Sequence, residues 1–182
     1  MRLFTALDLP DEVRKRYADL QAPNLLDARW PSPDQFHITL RFIGDADDNQ
    51  AARFEEALGH VKASAVECVP YGLDVLPTRR NPSVLIVGLE RSDALMAVYQ
   101  QVSDALEGEG LHSEDRSYRP HVTLARLDDV SDLAVHDFLS AHEDLSLDPF
   151  RVDTIHLYES TLTRDGAIHN RRASFPLGTK NT

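Results

Sequence analysis

One short pattern is written twice in this chain, and few folds accommodate both copies: His37-Ile38-Thr39-Leu40 and His121-Val122-Thr123-Leu124. Around the first copy, Phe36, Ile38, Leu40 and Phe42 alternate with His37, Thr39 and Arg41. A period of two marks a half-buried strand, in which side chains at i and i+2 share a face. His37 and Thr39 therefore share one face, and Ile38 and Leu40 turn to the core on the other. The second copy has the same parity, with His121 and Thr123 opposite Val122 and Leu124. Two such strands laid together bring two imidazoles and two hydroxyls to one place.

The two copies lie 84 residues apart in a chain of 182, nearly half its length. Each follows a proline loop and precedes a polar turn and a helical stretch, which predicts two related lobes about a pseudo-two-fold axis. Helices are expected where Val13, Tyr17 and Leu20, then Ala51, Phe54, Leu58 and Val61, then Leu95, Tyr99, Val102 and Leu106 recur at helical spacing. A fourth, shorter one follows Ser131-Asp132. Strands are expected at Arg2 to Leu9, Val66 to Val69, Tyr71 to Leu76, Val84 to Val87 and from Phe150 to Tyr158, the last with a register shift near Asp153. Asp165-Gly166 is a tight-turn signal before a closing strand at Ala173 to Leu177. Helices mixed with proline-broken strands and hairpin signals favour an α+β fold with antiparallel sheets. Residues 1–177 read as one bilobal domain, and residues 178–182 as a disordered tail.

With 42% apolar and 27% charged residues, the chain has the balance of a soluble globular protein. No apolar run approaches the roughly 20 residues that a membrane helix needs. The single cysteine, Cys68, sits in a strand-like run, which fits a small buried residue and a reducing cytoplasm. The net charge of −11 argues against broad binding to long nucleic acid, but not against a small anion in a locally basic cleft.

A histidine pair suits a reaction that needs one base and one acid near neutral pH. Phosphodiester cleavage fits: a neutral imidazole takes a proton from water, and an imidazolium gives one to the leaving oxygen. Each threonine offers a donor to a non-bridging oxygen, where charge builds in the transition state. The remaining histidines are scattered, and neither His-Glu-x-x-His nor Cys-x-x-Cys occurs, so a mechanism without metal is expected. No glycine-rich phosphate loop occurs either, and no cofactor is expected.

Longer strings extend the match: Arg2-Leu3-Phe4-Thr5-Ala6-Leu7, His37 through Gly44, Arg119 through Arg126, and Leu157-Tyr158-Glu159-Ser160. On these, the chain resembles the two-histidine phosphoesterases, and among them the RNA 2′,3′-cyclic phosphodiesterases once described as 2′-5′ RNA ligases. The resemblance covers nearly the whole chain. It implies two antiparallel sheets forming a central cleft, with helices outside and one motif per lobe. It implies hydrolysis of a terminal 2′,3′-cyclic phosphate to a 2′-phosphate, on RNA or a small cyclic nucleotide. Apart from the resemblance, a cytoplasmic monomer is expected. By the same carry-over His37 is the proton donor, His121 the proton acceptor, and Thr39 and Thr123 bind the phosphate. The residues themselves are nearly symmetric and do not assign acid and base. Phe42 and Arg126, five residues after each histidine, would stack on the terminal base and hold the phosphate. Parity leaves a second reading of both. Phe42 matches Ile38 and Leu40, which points it to the core, and Arg126 reaches the site only if the strand twists or ends there. His169 and Ile86 stand where related chains often carry tyrosine and tryptophan. Alternatives are the same chemistry run backwards to join RNA ends, a different phosphodiester substrate, and a nucleotide-binding module without turnover.

Overall fold

The computed structural model describes residues 1–178. Thr179 to Thr182, most of the expected tail, lie outside the described residues. Gly178 itself is tied in: its N–H donates to Ala63 O, and its carbonyl accepts from Ala65 N, each at 2.8 Å.

The chain runs β1 (Arg2–Asp8), α1 (Asp11–Ala18), β2 (His37–Asp45), α2 (Asp48–Gly59), β3 (Val66–Cys68), β4 (Pro70–Pro77), β5 (Pro82–Leu89), α3 (Asp93–Gly108), β6 (His121–Arg126), α4 (Asp132–Ala141), β7 (Phe150–Val152), β8 (Thr154–Thr163) and β9 (Gly166–Pro176). Three helices are started by side chains that take up free backbone N–H groups: Asp47 with Gln50 in a reciprocal capping box, Ser92, and Ser131. The expected shift at Asp153 is a full break, which sends β7 and β8 to different sheets.

Seven strands form an antiparallel ladder in the order β4-β5-β6-β2-β1-β8-β9, and β3 pairs with β7 apart from it. The ladder has two lobes, β4-β5-β6 and β2-β1-β8-β9. Among the described residues the only registered pair across their seam is Ile38 with Val122, the residues between the histidine and threonine of each motif. The two expected sheets are thus joined at one point, on the pseudo-two-fold axis. The order β-α-β-α-β-β occurs twice, with β9 added after the second copy, and the last strand of each copy is exchanged: β4 pairs with β5, and β8 with β1. One face of the ladder, with the helices and β3 and β7, encloses the hydrophobic core, including Ile38, Leu40, Val122, Leu124 and Cys68. The other face carries the histidines.

Candidate active site

Two bulges decide which side chains reach that face. On β2, Ala6 pairs with Thr39 and Thr5 with Arg41, so Leu40 is an extra residue. On β6, Ile86 pairs with Thr123 and Leu85 with Ala125, so Leu124 is the extra residue at the equivalent place. An inserted residue reverses the alternation beyond it. Arg41 and Ala125 therefore turn inward, and Phe42 and Arg126 come onto the His/Thr face. Phe42 is 65% exposed, so the core-packing reading of it fails. Thr5 holds the first bulge: its hydroxyl accepts from Arg41 N at 3.0 Å and lies 3.2 Å from Arg41 O.

Arg41, expected among the polar face residues, is only 2% exposed. Its guanidinium donates to Glu107 Oε1 at 2.9 Å and to His112 O at 2.6 Å, with Glu114 at 3.5 Å. It fastens the strand of the first motif to α3 and to the segment leading into the second. Tyr118 crosses the same gap, donating to Thr39 O at 2.8 Å.

Extending the Ile38–Val122 register one residue each way sets His37 opposite Thr123, and Thr39 opposite His121. The two imidazoles are anchored alike. His37 Nδ1 lies 2.7 Å from Gln35 O, and His121 Nδ1 lies 2.7 Å from Arg119 O, each the carbonyl two residues upstream. A carbonyl only accepts, so each Nδ1 carries hydrogen, and in the neutral ring Nε2 is left as the basic atom. His37 Nε2 lies 3.0 Å from Thr39 Oγ1. The same two residues have a second task. Gln35 Nε2 donates to Ala167 O at the tip of the β8–β9 hairpin, at 2.5 Å, and Arg119 donates to Pro77 O at the end of β4, at 2.9 Å. Each histidine's orientation is thereby tied to the outer wall of its own lobe.

The surroundings of the two rings differ. Burial pulls His37 down to about 4; the Gln35 carbonyl opposes this, His169 adds to it, Asp8 opposes it and His121 adds to it. Burial also lowers His121; its bond to the Arg119 carbonyl opposes this, and the Arg119 guanidinium adds to it. Asp8 is the strand partner of His37, whereas Gly88 is the partner of His121. Asp8 accepts from Tyr158 Oη at 2.5 Å, pairs with Arg171, and has His156 Nε2 at 3.5 Å. Beside them a cleft of about 400 Å³ is lined by Phe4, Asp8, Gln35, His37, Tyr158 and His169, among others. Phe4 stacks on Tyr158 with centroids 5.3 Å apart, and meets His37 at 5.1 Å, His169 at 4.9 Å and Phe42 at 6.1 Å. Ile86, the partner of Thr123, is buried on the second lobe's side of the cleft face.

All six residues singled out in the sequence thus share one face. The sequence reading did not find Asp8, Gln35, Tyr158 or Arg171. Gln35 and Arg119 had a signal, since both are polar and both stand two residues before a motif histidine. Among the described residues no group of three or more His, Cys, Asp or Glu is placed to hold a metal ion.

The family model of the 2′-5′ RNA ligase superfamily matches residues 9–164. The chain belongs to that superfamily. The resemblance carried by the two motifs is borne out by relatives. An RNA 2′,3′-cyclic phosphodiesterase of Bacillus subtilis is 32% identical over 164 residues, covering 86% of this chain and 89% of that protein. The protein of the same name from Thermotoga maritima is 28% identical over 176 residues, covering 93% and 91%. The fold recurs in a Thermus thermophilus crystal structure, with a TM-score of 0.79, 22% identity and 100% of both chains covered. It also recurs in Escherichia coli LigT complexed with 3′-AMP, with a TM-score of 0.73, 22% identity and 97% of both covered. The α+β bilobal fold of this superfamily member is borne out with them. No helix among its described residues is long and apolar enough to cross a membrane.

Proposed function

We propose that this chain hydrolyses 2′,3′-cyclic phosphate ends of RNA or small nucleotides to 2′-phosphates, using its histidine pair as acid and base without a metal. The observation that carries the reading is the pair of rings anchored through Nδ1 beside two threonines at the seam of two lobes. His121 Nε2 takes a proton from water as the water oxygen attacks phosphorus. His37 Nε2 gives one to O3′ as the P–O3′ bond breaks. Thr39 and Thr123 donate to the non-bridging oxygens, where charge builds. Phe42 offers its face to the terminal base, and Arg126 its guanidinium to the phosphate.

The charges beside the two rings favour this assignment of roles. Asp8 stabilises a protonated His37, and the Arg119 guanidinium disfavours a protonated His121. Burial still leaves His37 neutral at pH 7 in the free protein. A cyclic phosphate anion beside Nε2 opposes that shift, so substrate and proton bind together. Both motifs come from one chain, so a monomer suffices. A single buried cysteine, Cys68, leaves no internal disulfide to form, which fits a reducing cytoplasm.

The test is a short RNA with a 2′,3′-cyclic phosphate end, incubated with the protein in excess EDTA. A 2′-phosphate product is expected. A 3′-phosphate product would reverse the leaving oxygen, and turnover that EDTA abolishes would overturn the metal-free mechanism.

A further inference from the structure

Resting on the reading of His121 as proton acceptor, we infer that Arg41, on the strand of the first motif, is a positioning residue for the histidine of the second. It holds, across the seam, the segment whose carbonyl orients that ring. Residues 109–120 join α3 to β6 and form neither helix nor strand. Within them, residues 112–119 make no backbone–backbone hydrogen bond among the described residues. Side chains therefore set their course, and that course decides where the Arg119 carbonyl stands against His121 Nδ1.

Those side chains start from the first motif's strand. Arg41 grips the segment near its beginning, at the His112 carbonyl, and its Nε lies 3.5 Å from Glu114 Oε1. Glu107 on α3 holds the remaining arm of the guanidinium. Glu114 Oε2 accepts in turn from Tyr99 Oη at 3.1 Å. The Tyr99 ring lies flat on Tyr118, with centroids 4.1 Å apart and 3° between the planes. Tyr118 reaches back to Thr39 O, two residues before Arg41, and Arg119 follows Tyr118 directly. Arg41, Glu114, Tyr99 and Tyr118 are thus one continuous chain of contacts. It runs from the first motif's strand to the residue that holds the second motif's ring.

The tie runs one way. The residue equivalent to Arg41 beyond the second bulge is Ala125, which turns inward with nothing to reach out. The segment before the first motif meets β6 through its backbone instead: Arg29 and Arg126 exchange N–H···O bonds of 3.0 and 2.9 Å. An apolar side chain at position 41 would fill the same buried space at a lower desolvation cost. It would not hold a carbonyl and two carboxylates at fixed angles, as a planar fork does. The consequence lies in the tautomer of His121. With the Arg119 carbonyl accepting from Nδ1, Nε2 stays free to take a proton from water. With that carbonyl displaced, the hydrogen moves to Nε2, and the ring offers a donor where the reaction needs a base.

The experiment compares the wild type with Arg41→Met, which keeps the bulk, and with Glu114→Gln, which weakens the tie at a partly exposed position. NMR of ¹⁵N-histidine-labelled protein reports each ring's tautomer above pH 7, where burial leaves both motif rings neutral. His37→Gln and His121→Gln assign the signals. The wild type should carry hydrogen on Nδ1 in both rings. Arg41→Met should move His121 toward the Nε2–H form and leave His37 as it is. On a cyclic-phosphate-ended RNA it should lower kcat roughly 10²-fold, with KM within about threefold. Glu114→Gln should shift both readouts the same way by less, and Arg41→Lys should recover part of the loss. The inference is overturned if His121 keeps its tautomer in folded Arg41→Met, or if both motif rings shift together, the mark of a general loosening. Should Arg41→Met not fold, Glu114→Gln decides by the same criterion. A wild type that hydrolyses no cyclic phosphate sinks the phosphodiesterase reading, and the tautomers alone then judge Arg41.

Discussion

The two lobes share a strand pairing, a bulge, a carbonyl anchor and a side-chain tie to the outer wall, yet they present different chemistry to the cleft. Beside His37 stands Asp8, with Tyr158, Arg171 and an aromatic cluster. Beside His121 stand a glycine and the Arg119 guanidinium. The repeat supplies geometry, placing two equivalent basic nitrogens at one seam. The departures from the repeat divide the labour, because a carboxylate favours the charged ring and a guanidinium the neutral one.

The strongest way to break this comparison is to remove either ring. His37→Ala and His121→Ala should each lower kcat by roughly 10²–10⁴-fold. The double variant should be scarcely worse than either single one, since the two groups act in one step. Additive losses in single-turnover assays would mean that the rings act separately. Removing a donor should cost less: Thr39→Val and Thr123→Val are each expected to lower kcat by about 10²-fold, with folding checked by circular dichroism. A change in KM alone would confine the threonine to ground-state binding.

Asp8→Asn sharpens the division of roles. With His37 as the acid, losing the carboxylate lowers its pKa further and thins the productive state, in which His37 is charged and His121 neutral. The kcat/KM plateau should fall tenfold for each unit lost. A plateau that stays level or rises would place the acid on His121. The smallest effect concerns stability. Burial lowers His37, His121, His156 and His169 alike. Between pH 6.5 and about 4 the unfolded chain therefore binds more protons than the folded one, so stability is lost as pH falls through this window. For His37 alone the loss is at most about 3 kcal/mol. Denaturant midpoints should fall across that range, and more gently for His37→Gln.

What could be read from the sequence, and what could not, follows the range of each signal. The positions of His37, Thr39, His121 and Thr123 rest on a period of two within four residues, which needs no partner strand to be legible. Phe42 and Arg126 lie just beyond an inserted residue, and that insertion is set by pairing with β1 and β5. The alternation alone therefore pointed both the wrong way, and put Arg41 on the wrong face. Asp8 was illegible for a different reason. Its importance comes from Tyr158 and Arg171, 150 and 163 residues further on. The shift near Asp153 was visible, but not that it separates two sheets.

The strand exchange between the halves bears on synthesis. β1 is made well before its outer neighbour β8, which lies about 150 residues further along the chain. At ribosomal rates of roughly 5–20 residues per second, β1 waits roughly 8–30 s with one edge unpaired. Until β8 and β9 arrive, Asp8 lacks Tyr158 and Arg171, and Gln35 lacks the hairpin carbonyl that holds it. A nascent chain still on the ribosome, surrounded by RNA, carries both motifs but not the finished wall around His37. Arrival of β8 and β9 is thus the step that arms the site.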